Sequence, residues 1–341
     1  MRWGIFYLLI IAVEFFIAVP IGHAASDISY KDAVIRIIVG APPGGRLDTY
    51  SRVIARHMGT HVPGSPTIII ENMPGAGTLL AANYLYKVAK PDGLTFGTFV
   101  GNVIMRQVLG QPGVEFDARR FEWIGTVSPG HAVCILTRAS GITSLEKWMG
   151  SKKPVKLGGT GPGSNTDDIP KILAPALGLP IQLVTGYKGT ADIRQAAESG
   201  ELDGLCVTWE AIKTAWRKQL ESGDVNVVLQ AMPKAHLDLP KVPLAIEYAK
   251  TNEARGLIQI GVHDQSVLIQ PYAAPPGTPK ERVQVLRKAL VDTMKDKQFL
   301  AEAEKADLEV DPLGGEEVQK IVAGLFKLEP GLVSKLKEFL K

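Results

Sequence analysis

Runs of β-branched residues alternate with helix-period stripes along most of this chain. Val34–Val39 reads VIRIIV, a buried parallel strand. It breaks at Gly40, passes through Pro42, Pro43, Gly44 and Gly45, and meets Asp48, a good helix N-cap. Tyr50, Val53, Ile54 and Met58 follow at helical spacing. Residues 67–71 form a second strand, 72–77 a second glycine-rich bend, and Thr78 caps a helix to about Lys90. Asp92-Gly93 turns into a third strand at 94–100. This alternation predicts a parallel sheet with helices on both faces and right-handed crossovers, its ligand edge at the strand C-termini.

A second unit of the same kind follows. Residues 133–137 and Val155–Gly159 read as strands, with a capping box at 143–146 opening a short helix between them. The bend at 159–166 leads into a helix whose apolar stripe is Ile169, Ile172, Leu173 and Leu177. Residues 181–184 form another strand, and 186–190 turn into a helix that Gly200 ends. Residues 205–208, 225–229 and 266–272 read as extended. Prolines at 275, 276 and 279 precede a charged amphipathic helix from Lys280, and the C-terminus is helical in pattern. Ligands in such folds sit where strand ends meet helix starts, so the bends at 40–48 and 160–167 are one device used twice. Each presents unpaired main-chain N–H groups and the positive end of a helix dipole to an anion.

The chain has 341 residues, which suggests two domains, and 45% hydrophobic content fits a globular protein. Its first 25 residues stand apart. Arg2 precedes an apolar run, and Gly22-His23-Ala24-Ala25 closes it, which predicts a cleaved secretory signal peptide over 1–25 and an exported protein. The 38 basic and 35 acidic residues give a net charge of +3, with the signs interspersed. That surface argues against nucleic acid as a partner. Cys134 and Cys206 lie in apolar strand-like runs, either as a disulfide or as two buried thiols.

No catalytic set is legible. The six histidines show no metal-ligand spacing, and His57 and His61 read as a weak surface pair. The glycines at 158, 159, 161 and 163 satisfy neither a phosphate-loop nor a dinucleotide fingerprint, and Ser164 sits in no nucleophile elbow. No metal and no cofactor are predicted. A binding site for a small carboxylate needs only main-chain N–H groups, hydroxyls and a mouth that closes. Thr49, Ser164, Asn165 and Thr166 supply hydroxyl and amide groups beside the bends, and Gly45 marks a close backbone approach or a positive φ.

GAPPGG at 40–45 with Asp48, ENMPGAG at 71–77, KPDGLT at 90–95, GYKG at 186–189 and APPGTP at 274–279 occur in order. Together they resemble the substrate-binding receptors of tripartite tricarboxylate transporters, the Bug family. The resemblance implies an α/β two-lobed type II periplasmic-binding-protein fold, each lobe a mainly parallel sheet flanked by helices. Residues 28–130 plus 264–341 would form one lobe and 131–263 the other, with crossings near 128–131 and 262–266. It also implies a monomer without enzymatic activity that closes on a small organic acid and delivers it to a membrane permease. Carried over, the ligand-binding residues are Ala41, Pro43, Gly44, Gly45, Arg46 and Asp48 from one lobe. Thr160, Gly161, Gly163, Ser164, Asn165 and Thr166 come from the other, with Tyr187 and Thr190 near the mouth.

Arg46 and Leu47 depart from the small residues usual at these positions in the family. Arg46 has three readings: a bidentate partner for a ligand carboxylate, a partner for Asp48, or a solvent-facing side chain. Trp209 is core or a stacking wall, and Glu210 is a surface group or the mark of a ligand amine or hydroxyl. The functional alternatives are an exported hydrolase-like enzyme and a sensory ligand-binding subunit.

Overall fold

A computed structural model describes residues 29–340; the predicted signal peptide at 1–25 lies outside the described residues. Among the described residues there are eleven strands: β1 (Val34–Val39), β2 (Thr67–Asn72), β3 (Thr95–Thr98), β4 (Glu122–Thr126), β5 (Ala132–Thr137), β6 (Val155–Gly159), β7 (Ile181–Thr185), β8 (Gly204–Thr208), β9 (Val225–Gln230), β10 (Pro271–Ala274) and β11 (Leu313–Gly314). They form two sheets, ordered β11-β4-β10-β3-β1-β2 and β7-β6-β8-β5-β9.

Both sheets are mixed. β1 pairs parallel with β2 and β3, and β6 with β7 and β8. The antiparallel pairs all involve β5, β10 or β11, so most strands in each sheet still share one direction. Antiparallel pairing enters where the chain changes sheets, because β5 follows a crossing out of the first sheet and β10 a crossing back.

The first crossing is short, running from β4 at Thr126 to β5 at Ala132. The return is longer. It passes through helices Ala245–Tyr248 and Asn252–Ile258, a π-helical turn Gln259–His263 and the helix Asp264–Val267 before β10. Part of the segment read from sequence as extended at 266–272 is therefore helical, and the strand begins only at Pro271. β4 was not legible either, since EWIGT carries a charge and a glycine within five residues.

The helix Arg46–Met58 turns Leu47, Tyr50, Val53, Ile54 and Met58 into a core with Ile35, Ile37, Phe96 and Tyr272 of the first sheet. On the second sheet, Asn165–Leu177 buries Ile169, Ile172 and Leu173 despite prolines at 170 and 175. Cys134 and Cys206 stand directly opposite each other on β5 and β8 and form a disulfide, which decides the question the sequence left open. The final helix, Pro330–Phe339, packs on Asn165–Leu177 and Asn252–Ile258. Leu336 is fully buried there and Lys335 pairs with Glu253. No helix among the described residues is long and apolar enough to cross a membrane.

Candidate functional site

The two glycine-rich bends are built alike. In the first, Gly44 adopts φ +86, a conformation that only glycine enters cheaply, and its N–H donates to Asp48 Oδ2 at 2.8 Å. Arg52 Nε donates to the same oxygen at 2.8 Å, and Asn72 Nδ2 donates to Asp48 Oδ1 and to Ala41 O, each at 2.8 Å. Asp48 is 2% exposed. Burial alone would raise its pKa, but the bonds from Arg52, Gly44 and Asn72 prevail and lower it. Gly45 is extended, φ −78, so of the close backbone approach or positive φ expected there, the positive φ falls one residue earlier, at Gly44. A Cβ at Gly45 would meet nothing nearer than Pro42 O at 3.7 Å.

In the second bend Gly161 and Gly163 have φ +138 and +84. The Gly161 N–H donates to Asp167 Oδ2 at 2.7 Å, Thr185 Oγ1 donates to Asp167 Oδ1 at 2.7 Å, and Ser164 Oγ lies 3.2 Å from Oδ2. The Thr160 N–H donates to Thr166 Oγ1 at 3.1 Å. The carboxylates and hydroxyls near each helix start thus serve the loop itself. Among the described residues, the N–H groups of Arg46, Leu47 and Asp48 at the start of one helix and of Asn165 and Thr166 at the start of the other have no hydrogen-bond partner, whereas the Asp167 N–H donates to Ser164 O at 3.1 Å. The usable donors are main-chain, and Asp48, Thr166 and Ser164 shape the loops that carry them.

The remaining predicted residues fall into different roles. Tyr187 and Gly186 hang from Gly159 O through their N–H groups, and the Tyr187 hydroxyl donates to Glu201 Oε1 at 2.6 Å. That bond holds the phenol up to about 12. Thr190 opens the helix Thr190–Glu198. Trp209 is core rather than a stacking wall: it packs with Ile212 and Trp216, and its Nε1 donates to Asp238 Oδ2 at 3.0 Å. Of the predicted pair, His57 is bonded to Glu302 and His61 to Asp296.

Two cavities lie between the portions of chain built on each sheet. One, about 350 Å³, is walled by Asn102, Arg106, Gly163, Asn165, Asp168 and Ser266. Burial pushes the Asp168 carboxyl up to about 6. The other, about 770 Å³, includes Thr126, Glu210, Lys213, His236, Asp238 and Glu309. Among the described residues, none of 41–48 lines either cavity. The two sides touch directly where Asn102 Nδ2 donates to Gly163 O, where Lys213 Nζ meets Glu309 Oε1 at 2.6 Å, and where Thr214 reaches Asp307.

Arg46 was the open case in the sequence. Its guanidinium lies 4.8 Å from the Tyr50 ring centre, and its Nε and Nη2 are buried with no hydrogen-bond acceptor. Glu210 was the other. Both its oxygens face the His131 N–H, at 3.1 and 3.2 Å, and burial raises its pKa against the pull of the Arg46 charge.

Glu210, His236 and Glu309 bring one ligand atom each within 4.8 Å of one another, a grouping the sequence spacing did not reveal. It suits a metal poorly. The Asp238 N–H donates to His236 Nδ1 at 3.0 Å, which leaves the neutral ring's proton on Nε2, and the Lys213 ammonium already neutralises Glu309.

Residues 51–337 match the family model described as "Tripartite tricarboxylate transporter family receptor". A Cupriavidus necator protein described as "UPF0065 protein in gbd 5'region" is 25% identical over 309 residues, 89% of this chain and 87% of its own. A TctC solute binding protein from Polaromonas shares the fold with a TM-score of 0.70 at 19% identity, over 89% of this chain and 98% of its own. MatC from Rhodopseudomonas palustris, solved with bound malate, aligns with a TM-score of 0.59 at 21% identity, over 90% and 99%. The family match spans the second bend and both crossings, and the shared fold carries both sheets. The chain belongs to the tripartite tricarboxylate transporter receptor family.

Proposed function

We propose that this protein is an exported periplasmic receptor. It traps a small organic acid between two lobes, 28–130 plus 264–341 and 131–263, and hands it to a membrane permease without covalent chemistry. One observation carries the reading: each sheet supplies a glycine bend pinned to a buried aspartate, Gly44 to Asp48 and Gly161 to Asp167, ahead of a 13-residue helix. Two such helix starts suit a carboxylate, because their N–H groups point outward and their dipoles favour negative charge. Family membership and the malate held by a relative of the same fold support the same class of guest. The C-terminal helix then belongs in contact with the second lobe although its sequence follows the first. Trapping works by population: a guest that meets both bends favours the closed arrangement over the open one.

A thermal-shift and calorimetry panel of organic acids, run beside a turnover screen with small esters and phosphates, tests this. Stabilisation by one class of acid without product is the expected result. Product formation, or no stabilisation by any carboxylate, overturns it.

A further inference from the structure

We propose that the Lys213–Glu309 ion pair is a latch that sets how readily the two lobes part. The inference rests on the two-lobe reading above and adds the contact that governs the motion.

The two partners come from different sheets. Glu309 lies in the segment between the helix Lys297–Lys305 and β11, and β11 pairs with β4 of the first sheet. Lys213 follows the helix Trp209–Ile212, which leaves β8 of the second sheet. Their charged atoms meet at 2.6 Å, and the two side chains are only 27% and 26% exposed. A charge-assisted bond that short, with most of the solvent kept away, is stronger than an ordinary surface pair.

Both ends are braced. The Tyr50 hydroxyl donates to Glu309 O at 2.8 Å and the Asp311 N–H donates to Val127 O at 3.0 Å. These bonds pin the segment to the helix Arg46–Met58 and to the first crossing. Opposite, the Lys213 N–H donates to Trp209 O at 2.9 Å. The Lys213 ammonium also lies 3.6 Å from Asp238 Oδ2, the oxygen that accepts from Trp209 Nε1. Partners held this way lose little side-chain freedom when they pair, which removes the usual penalty on an ion pair.

The neighbourhood makes the pair a catch for the whole edge. Thr214, the next residue, donates its hydroxyl to Asp307, so two successive residues on one side grip one short segment on the other. His236 Nε2 stands 3.6 Å from the same Glu309 oxygen, too far for a hydrogen bond, so the ammonium carries the contact. Lys213, His236, Asp238 and Glu309 all line the cavity of about 770 Å³, and opening that wall breaks the pair. The ion pair exists only while the two sides touch. It therefore favours the closed arrangement, and removing either charge shifts the population toward the open one.

Small-angle scattering of the whole mature protein, refolded from guanidinium with its disulfide intact so that no guest is carried over, tests this. Lys213→Met and Glu309→Gln should each shift the closed-to-open ratio about tenfold toward open, read as a larger radius of gyration. The double variant should open no further than the more open single, because one interaction is lost in all three. Lys213→Arg, which keeps the charge, should stay near the wild type. About 0.5 M salt should open the wild type and leave the two uncharged variants almost unchanged. A wild-type radius in either single variant, with folding judged by circular dichroism, overturns the latch, as do single effects that add in the double. The salt response of the wild type depends on no variant, and its absence overturns the latch too. The latch and the receptor reading fail separately. Radii that respond as expected while no organic acid stabilises the protein sink the proposed guest and leave the latch. Acid binding with one radius across all variants sinks the latch and leaves the receptor.

Discussion

Gly161 gives its N–H to Asp167 at 2.7 Å, and Asp167 is wholly buried. A glycine with φ +138 is thereby fastened to a carboxylate in the first turn of the next helix, and the loop between them is set. The same oxygen lies 3.2 Å from Ser164 Oγ, and its twin accepts from Thr185. Asp167→Asn keeps the size but puts an amide donor where only acceptors fit. Unfolding free energy should fall by about 2–3 kcal/mol, and affinity for organic acids should fall with it. Urea denaturation reads the first quantity; a loss below about 1 kcal/mol would show that these bonds do not set the loop.

The neighbouring glycines in the first bend should behave differently. Gly44 has φ +86, so Gly44→Ala should cost about 1 kcal/mol although no atom lies within 4 Å of the new Cβ. Gly45 is extended and has room, so Gly45→Val should fold normally and bind carboxylates poorly. Melting temperatures set beside calorimetric affinities distinguish a fold effect at Gly44 from a site effect at Gly45.

The disulfide joins β5 to β8 across 72 residues. Closing a loop of that length restricts the unfolded chain, and the chain-entropy account assigns it about 4 kcal/mol. Denaturation with and without reductant should show a loss of that order. An identical midpoint in both would mean that the buried bond is not reduced or contributes nothing.

His263 sits in the π-helical turn of the return crossing, buried, with Nε2 unpartnered. Burial, aided by the charge of His131, lowers its pKa to about 4, against 6.5 for a free imidazole. Between those values the unfolded chain binds a proton that the folded chain refuses. Stability therefore falls as pH drops from about 6.5 to about 4 and is unaffected by this residue above that window. Relative to wild type, His263→Leu should gain about 3 kcal/mol over that descent. Urea midpoints at several pH values check it, and parallel curves for the two proteins would refute the assignment.

Much of this molecule was legible in advance because its signals are local. The bend at 40–48 announces itself through two prolines and two glycines between a β-branched run and a helical stripe. The bend at 160–166 does so almost as clearly. What stayed hidden depends on distant residues. The bonds that bury Asp48 come partly from Asn72 on the next strand, which local spacing does not announce. Trp209 was ambiguous because its burial is decided by Ile212, Trp216 and Asp238. The cluster of Glu210, His236 and Glu309 joins positions up to 99 residues apart by numbering, with no spacing rule to expose it. Strand β4 gave only a weak signal, since its neighbours β10 and β11 arrive from far along the chain.

Strand β10 has a consequence for how the molecule is assembled. It is a central slat, wedged between β3 and β4, yet it is synthesised some 170 residues after β3. Until it emerges, both neighbours carry a naked row of main-chain donors and acceptors that any extended peptide can satisfy. A nascent chain must therefore wait, half-zipped, through the making of the entire second sheet. Truncation anywhere before Pro271 should leave a sticky, aggregation-prone fragment in place of a smaller working lobe.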